Sequence, residues 1–599
     1  METRFNIYFV FISVLVLGVP LVVMPFVVDN AFNSPKTLLL LFGVSAMVGI
    51  YGFQILNGLK FARPIKTPIP TIILFLILLN VFSLFYTVNP YFTAVAATLN
   101  ISCLLLFYFV STHIDGKKMF WLLLAISFGG LFVSIITWLQ SFGVYILFKW
   151  LPPGSMIMGT IGNSNFLGAY LVFPLYAMTG LIFLLKGKFR WIPIVLLLFM
   201  LSAFLFARAR SSWVGFLPGL SLFFYLLTKI KRFSFARYIG SKPKRMAPYV
   251  IMICILLIVL WFIIPPRFHI MTSFGKIIEL QTLRLRVQKW YRPSFWLFEQ
   301  RPLFGTGLWS YRSLVYEAQS EINKTHPGFF ERSNPKPRRA HNEYLEILND
   351  GGLVAAAALS LFLVLVLRHG WRVIKDEELD EQDRIISATA FCAILNIMIT
   401  AIFFFPFRVN STMFMTVLML GLMEGIYLRN YDHIMIDRRP KSETGFLIPI
   451  LFFLIIGVIW YTGIKPFKGE MSHFKYKLAL AQGRSKDAEK HILKAIDYDP
   501  HNSLYLLYAS QLYLNVLKDY GKASDFIERV ITDFNGDLTL WSVYYIKGVI
   551  NFRMGSLFEA RAAFEKSLYY YPLFEPAIKN LKEVKDVIKN HDKVLIKFR

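Results

Sequence analysis

The sequence predicts an all-α, polytopic helical membrane protein of about 12–13 spans, with one large outer loop and a C-terminal α-solenoid. Three observations predict it. Of the 599 residues, 56% are hydrophobic and only 17% charged, with a mean hydropathy of +0.52. That is too little polar surface to clothe a soluble chain of this size. Thirteen stretches approach the roughly 20 mostly apolar residues that a helix needs to cross a bilayer. Beyond about residue 470 the composition turns to that of a mixed-charge soluble domain with an internal repeat.

The thirteen stretches lie near 7–28, 36–56, 68–86, 93–112, 119–141, 164–185, 190–207, 211–229, 248–266, 346–367, 385–405, 411–429 and 446–464. The first resembles a secretory leader in position. It is too long for one, contains Pro20 and Pro25, and ends without a small-x-small cleavage site, so it reads as a span. Cys103, Cys254 and Cys392 each fall inside an apolar stretch, which argues for buried thiols and against a disulfide framework or a cysteine-based metal site. The domain boundaries follow: helices 1–9 over residues 1–266, an outer loop over 267–345, helices 10–13 over 346–465, and a soluble domain over 466–599.

The net charge of +27 would suggest nucleic acid on a soluble domain. Here its placement argues otherwise, and no nucleic-acid partner is expected. Basic residues crowd the short loops after even-numbered spans: Lys60, Arg63 and Lys66; Lys117 and Lys118; Lys186, Lys188 and Arg190; seven between Lys229 and Arg245; Arg368, Arg372, Lys375 and Arg384; Arg429, Arg438, Arg439 and Lys441. The short loops after odd-numbered spans hold only Lys36, Lys149, Arg208, Arg210 and Arg408. Because positive loops stay cytoplasmic, the N-terminus is expected inside and residues 267–345 outside. Thirteen spans put the C-terminal domain outside as well; an even number would put it in the cytoplasm.

That domain repeats. Gly483–Ala488 followed by Pro500 has counterparts in Gly521–Ala523 followed by Asn535 and in Gly555–Ala560 followed by Pro572. Ala488 to Ala523 is 35 residues and Ala523 to Ala560 is 37, close to the 34-residue tetratricopeptide period. The segment resembles tetratricopeptide repeats, whose stacked helical hairpins offer a surface to a protein partner. Asp497 and Asp499 form an Asp-x-Asp at a helix end, which reads as a solvated turn with no metal.

Arginine within a membrane is costly enough to ask for a reason. Arg208 and Arg210 divide two apolar runs with no real loop, and Arg408 stands in Phe-Phe-Pro406-Phe-Arg408 between two spans, all on the expected outer side. The outer loop adds Arg284 and Arg286, and residues 267–343 hold thirteen Lys/Arg against six Asp/Glu. Outward-facing guanidiniums suit a phosphate-bearing ligand anchored in the bilayer, since their forked donors match phosphate oxygens; snorkelling to lipid headgroups is the alternative for any single one. His341, in Arg338-Arg339-Ala340-His341-Asn342-Glu343, sits among those cations, which should keep it neutral and able to accept a proton.

Four stretches in this order resemble the O-antigen ligase and polymerase superfamily of bacterial envelopes. They are Gly162-Asn163-Ser164-Asn165-Phe166-Leu167-Gly168; Arg208-Ala-Arg210-Ser-Ser-Trp213; Arg286-Val-Gln-Lys-Trp290 followed by Pro302-Leu-Phe-Gly305-Thr-Gly307; and His341-Asn342-Glu343-Tyr344-Leu345 running into Gly351-Gly352-Leu353. The likeness spans about residues 1–465, most clearly 160–425. It implies a GT-C-like, metal- and cofactor-independent inverting glycosyltransferase in the bacterial cytoplasmic (inner) membrane, with its site on the outer side. The implied donor is a polyprenyl-diphosphate-linked glycan, and the acceptor a glycolipid such as lipid A core, a growing glycan or a protein. The resemblance places the family's essential histidine on His341 and its two arginines on Arg210 and Arg286, with Ala209 standing where serine is usual and leaving Arg208 as a neighbour candidate. Glu343 and Arg408 are expected to assist in positioning and phosphate contact. Asn163 and Asn165 are expected either to line the site or to cap the helix starting near Phe166. Polymerase and protein O-oligosaccharyltransferase are alternatives with the same site; a lipid-linked glycan flippase would explain the spans but not a base beside phosphate-binding groups.

Overall fold

The computed structural model describes residues 6–57, 62–63, 67–144, 157–185, 191–231, 286–326, 338–432, 435–436 and 442–597. In hydrocarbon no water is available to backbone N–H and C=O groups, so a crossing segment must satisfy its own, which a helix does locally. Among the described residues, nine helices are long and apolar enough to cross a membrane, and three shorter apolar helices join them. The long ones are α2 (Ser34–Leu56), α4 (Pro90–His113), α5 (Gly116–Ser141), α6 (Ser164–Leu184), α8 (Arg210–Ile230), α11 (Glu343–Lys375), α12 (Glu381–Ala401), α13 (Asn410–Tyr427) and α14 (Ser442–Ala481). The short ones are α1 (Ile7–Leu21), α3 (Ile69–Phe82) and α7 (Trp191–Phe206). The chain is therefore a polytopic helical membrane protein. Twelve of the expected stretches coincide with these helices; the ninth, near 248–266 and containing Cys254, lies outside the described residues. Among the described residues, the only strands are Ala62–Arg63 and Met435–Ile436, a two-residue antiparallel pair.

Helix α1 is shorter than expected. Pro20 falls in its last turn, and Phe26 adopts a left-handed φ of 64° in the turn that follows, so the chain reverses before residue 28. Helices α6, α12 and α13 form the buried centre, while α11 and α14 turn apolar side chains such as Leu361, Val364, Phe453 and Leu454 outward. Cys103 and Cys392 are buried free thiols.

Successive helices alternate in direction. One end of the bundle thereby collects the α1–α2 turn, the starts of α4, α6 and α11, and the α7–α8 and α12–α13 turns. This end, the site face, also carries a π-helical turn (Val287–Tyr291), α9 (Arg292–Gln300) and α10 (Tyr311–Thr325). At the opposite end, Arg429 pairs with Asp383 at 2.8 Å.

Helix α11 is broken at Gly352, whose φ of 63° and ψ of −164° interrupt the ladder. The groups this frees are taken up by the segment 302–307. Thr306 N–H donates to Asn349 O (2.7 Å) and Gly307 N–H to Asp350 O (3.0 Å), while Leu353 N–H reaches Pro302 O (2.8 Å) and Val354 N–H reaches Leu303 O (3.1 Å). A Cβ at Gly352 would stand 2.3 Å from Leu303 O, and one at Gly305 would stand 2.5 Å from Asn349 O. Two separate glycine-bearing motifs are thus halves of one joint.

Helix α14 runs for 40 residues, roughly 60 Å at the usual rise. It crosses the bundle and continues without a linker as the first helix of the C-terminal domain, so no chain break marks the expected boundary at 465. The domain continues as α15 (Ser485–Tyr498), α16 (Ser503–Leu512), α17 (Tyr520–Thr532), α18 (Leu540–Arg553), α19 (Leu557–Tyr570) and α20 (Glu575–Lys597). The pairs α14/α15, α16/α17 and α18/α19 are helical hairpins, and Ala488, Ala523 and Ala560 are fully buried within them.

This domain docks on the site face. Arg312 of α10 pairs with Asp537, Tyr316 donates to Leu538 O (2.9 Å), and Arg338 donates to Asp537 O (2.7 Å). Asp29, in the α1–α2 turn, pairs with His473 and with Lys477 (2.8 Å), and Asn89 donates to Asp533 O (3.2 Å). Asp499 is not the solvated turn its sequence suggested. It is only 5% exposed, receives Asn502 Nδ2 at 2.9 Å and lies beside the Tyr91 hydroxyl of α4.

Candidate active site

The segment before α11 is shaped by its own helix start. Asn342 caps α11 by accepting from Leu345 N–H (3.1 Å). Glu343 and Glu346 occupy the first turn, where carboxylates complement the helix dipole. Glu346 reaches back to accept from Ala340 N–H (2.8 Å), while Glu343 N–H donates to Phe404 O (3.1 Å). Between these two anchors His341 is held at a φ of 52°, a left-handed conformation uncommon for a non-glycine residue.

The imidazole of His341 stacks on Trp290 with centroids 4.2 Å apart, and its other neighbour is the edge of Phe405 at 5.3 Å. Arg286 lies over the same Trp290 at 5.7 Å and donates to Phe403 O at 2.8 Å. Its guanidinium is lowered from its ordinary value by burial and by repulsion from Arg210, which places the arginine opening α8 in the same field. His341 is pushed down to about 4, first by burial, then by the Arg286 charge, with Arg339 adding to the effect and Glu346 opposing it. His341 and Arg286 therefore share Trp290, Arg210 acts on Arg286, and burial together with the Arg286 charge favours the neutral imidazole.

Arg208 stands at a φ of 52° in the α7–α8 turn, its guanidinium lowered by burial. Its neighbour Ala209 packs against Gly168 of α6. Asn163 takes the capping alternative: it is the N-cap of α6, and its side-chain oxygen accepts from Asn165 N–H at 2.9 Å. Asn165 is exposed, and the next residue, Phe166, packs on Phe404 and Phe405 beside His341.

Arg408 differs from its expected role as a phosphate contact. Its Nε lies 3.0 Å from Glu343 Oε1 and 2.9 Å from Glu346 Oε2, and its Nη2 lies 2.8 Å from Asp350 Oδ2. Burial alone would lower this guanidinium, but the three carboxylates override it and raise it above its ordinary value. A guanidinium enclosed by three carboxylates has its charge already matched, so Arg408 and Glu343 serve as a clamp between the α12–α13 turn and α11. Arg339 joins the cluster through Glu346 (3.3 Å) and lies between Trp309 at 5.1 Å and Phe405 at 5.8 Å.

Several residues here carried a readable signal. Positions 343, 346 and 350 follow the i, i+3, i+7 spacing of one helical face, so a carboxylate stripe opening an apolar span announces a buried counter-cation. The roles of Trp290 and Phe405 as walls of the histidine carried none, because the three aromatic rings come from distant parts of the chain.

The fold and site define a class: a multi-pass helical membrane protein with a cationic, histidine-bearing site at one end of its bundle. A family model described as O-antigen ligase matches residues 195–360. This segment holds Arg208, Arg210, Arg286, His341 and Glu343, and the match supports an O-antigen ligase or polymerase type of function for the membrane part. Asn163, Asn165, Arg408 and the C-terminal domain lie outside it. No curated protein matches the chain.

Proposed function

We propose that the protein is a membrane glycosyltransferase of the O-antigen ligase type, transferring a glycan from a polyprenyl-diphosphate carrier to an acceptor hydroxyl at the outer face of the bacterial cytoplasmic membrane. The observation that carries this reading is the convergence of Arg286, Arg210 and a neutral His341 at one end of the bundle. The two guanidiniums receive the diphosphate and match the charge that grows on it as the glycosidic C–O bond breaks. His341 takes the proton of the acceptor hydroxyl as its oxygen attacks the anomeric carbon from the face opposite the leaving diphosphate. Configuration therefore inverts, with no covalent glycosyl intermediate. The products are the lengthened acceptor and the free polyprenyl diphosphate. Arrival of the anionic donor offsets the field of Arg286 and raises His341 towards a range where it is a better base.

Arg208 supplies further positive charge at the same turn, Asn163 and Asn165 order the α6 end of the site, and Glu343 with Arg408 fixes the histidine segment. The arginines do the work for which other transferases use a metal, so transfer should persist in chelator. The C-terminal hairpins are read as tetratricopeptide repeats on the outer side, offering a surface to a protein partner. Polymerase and protein O-oligosaccharyltransferase activities share this site and differ only in acceptor.

The test is transfer by purified protein from an undecaprenyl-diphosphate glycan, in chelator. His341→Ala should reduce turnover by about 10²–10⁴-fold, the range for loss of a general base. Arg210→Ala and Arg286→Ala should each cost about 10²–10³-fold, as for loss of one charge-stabilising group. Wild-type rates in all three variants would overturn the reading.

A further inference from the structure

A cavity of about 250 Å³ lies between α3, α4, α11 and α13, separate from the histidine. Its lining is graded. At the site face stand Glu343, Asp350, Arg408 and Tyr86; Asn80, Asn100 and Thr416 add neutral polar groups along α3, α4 and α13, and farther from the site face come Cys103, Phe107, Phe362 and Leu420. Beyond the break at Gly352, Ala355 and Leu363 are eight residues apart on the continuous part of α11, so the apolar lining on this helix runs for roughly 12 Å. Polar groups at the membrane surface with hydrocarbon beneath them is the order of a lipid.

The wall facing outward is thin. Of the fourteen residues of α3, only Ile69 and Leu76 are buried, and Leu74, Phe75, Leu78 and Phe82 point outward with 44–56% exposure. One short helix thus separates the cavity from the bilayer's own lipids.

The charge at the mouth distinguishes possible occupants. The charged lining residues are Glu343, Asp350 and Arg408, and the arginine is already paired with both carboxylates. No surplus positive charge remains for a diphosphate, while carboxylate oxygens can accept from hydroxyl groups. Arg210 and Arg286 are not in the lining. Trp309, however, lines the cavity and contacts Arg339, which also lies 5.8 Å from Phe405, the neighbour of His341. The mouth is therefore linked to the base through Trp309, Arg339 and Phe405.

We propose that this cavity holds the hydrocarbon chain of a lipid-anchored acceptor with a neutral, hydroxyl-bearing head, presenting that head to His341. The proposal rests on the glycosyl-transfer reading and selects, among its acceptors, one anchored in the membrane. The test uses the full-length protein in phosphatidylcholine nanodiscs and hexadecyl β-glucoside carrying a diazirine at the chain end. Photolysis should place adducts on cavity residues such as Phe107, Phe362 or Leu420, and undecaprenyl diphosphate should not displace them. Ala355→Trp and Leu359→Trp, which fill the cavity, should lower the ratio of transfer to hexadecyl glucoside over transfer to methyl glucoside at least tenfold. Adducts elsewhere only, or adducts displaced by undecaprenyl diphosphate, would overturn the proposal, the second result giving the cavity to the donor's chain. Labelling of the wild-type protein needs neither turnover nor a folded variant. A protein that labels in the cavity but never transfers would count against the glycosyltransferase reading alone.

Discussion

At the scale of single residues, His341 and Arg408 show opposite fates of a polar group at a membrane boundary. His341 is depressed to about 4 from an ordinary 6.5. A base must be unprotonated, so the acid limb of kcat/KM should lie near that value, and activity should persist as pH falls through 6. Arg286→Gln removes a repelling charge and should raise His341, moving the acid limb to higher pH; a limb that stays in place would mean that the two groups are not coupled. The depression also has a stability consequence. Below about 6.5 the unfolded chain binds a proton that the folded one refuses, so acidification towards 4 destabilises the fold, and His341→Gln should lessen that loss. Arg408 behaves as a structural charge. Arg408→Met leaves the buried Glu343 and Asp350 without their cation and Glu346 with Arg339 alone, and should cost about 3–5 kcal/mol, read as a fall in thermal stability in detergent. A stable Arg408→Met protein with only a weakened donor affinity would restore the phosphate role. The sequence made both residues conspicuous, yet it could not tell them apart. That distinction required knowing what faced each guanidinium or ring.

At the scale of elements, the broken α11 is the most exacting feature. A helix interrupted in a membrane must find other partners for the groups it frees, and here the 302–307 segment supplies them. Gly352→Ala would place a Cβ 2.3 Å from Leu303 O at a positive φ, a strain of about 1–3 kcal/mol. Faster proteolysis within 302–310 would report it, and unchanged digestion would mean that the joint tolerates a side chain. The two glycine motifs were legible as motifs, but their pairing was not, because their partner groups are more than forty residues apart. The same limit explains α1, whose hydropathy continues to residue 28 although its prolines and the turn at Phe26 end the helix at Leu21. Hydropathy measures which solvent a segment prefers and does not register where its hydrogen bonds stop.

At the scale of the whole molecule, a helix of 40 residues joins the bundle rigidly to the C-terminal domain, which is pinned again at α10, at the start of α4 and at the α1–α2 turn. The site face and this domain therefore lie on one side of the bundle. Cysteines at the exposed positions Lys324 and Asn515 should be labelled together by an impermeant reagent on intact spheroplasts, with Glu378 labelled only after permeabilisation; protection of Asn515 alone would contradict the docking. Asp537→Ala removes the partner of Arg312 and of no catalytic group. It should loosen the domain, seen as faster hydrogen exchange across 312–320. What the sequence determined by itself was whatever depends on sums over neighbours: the bilayer as solvent, the position of the spans, the charge bias between their two sets of loops, the repeat period of the last 130 residues and the cationic cast of one face. What only the tertiary structure decided was which partner each polar group meets: Arg408 three carboxylates 58–65 positions away, Asp499 the Tyr91 hydroxyl from the other end of the chain, and His341 an indole on a separate segment. Solvent preference is additive along the chain and can be read locally. Pairing energy depends on distance in space, and only the folded chain sets that distance.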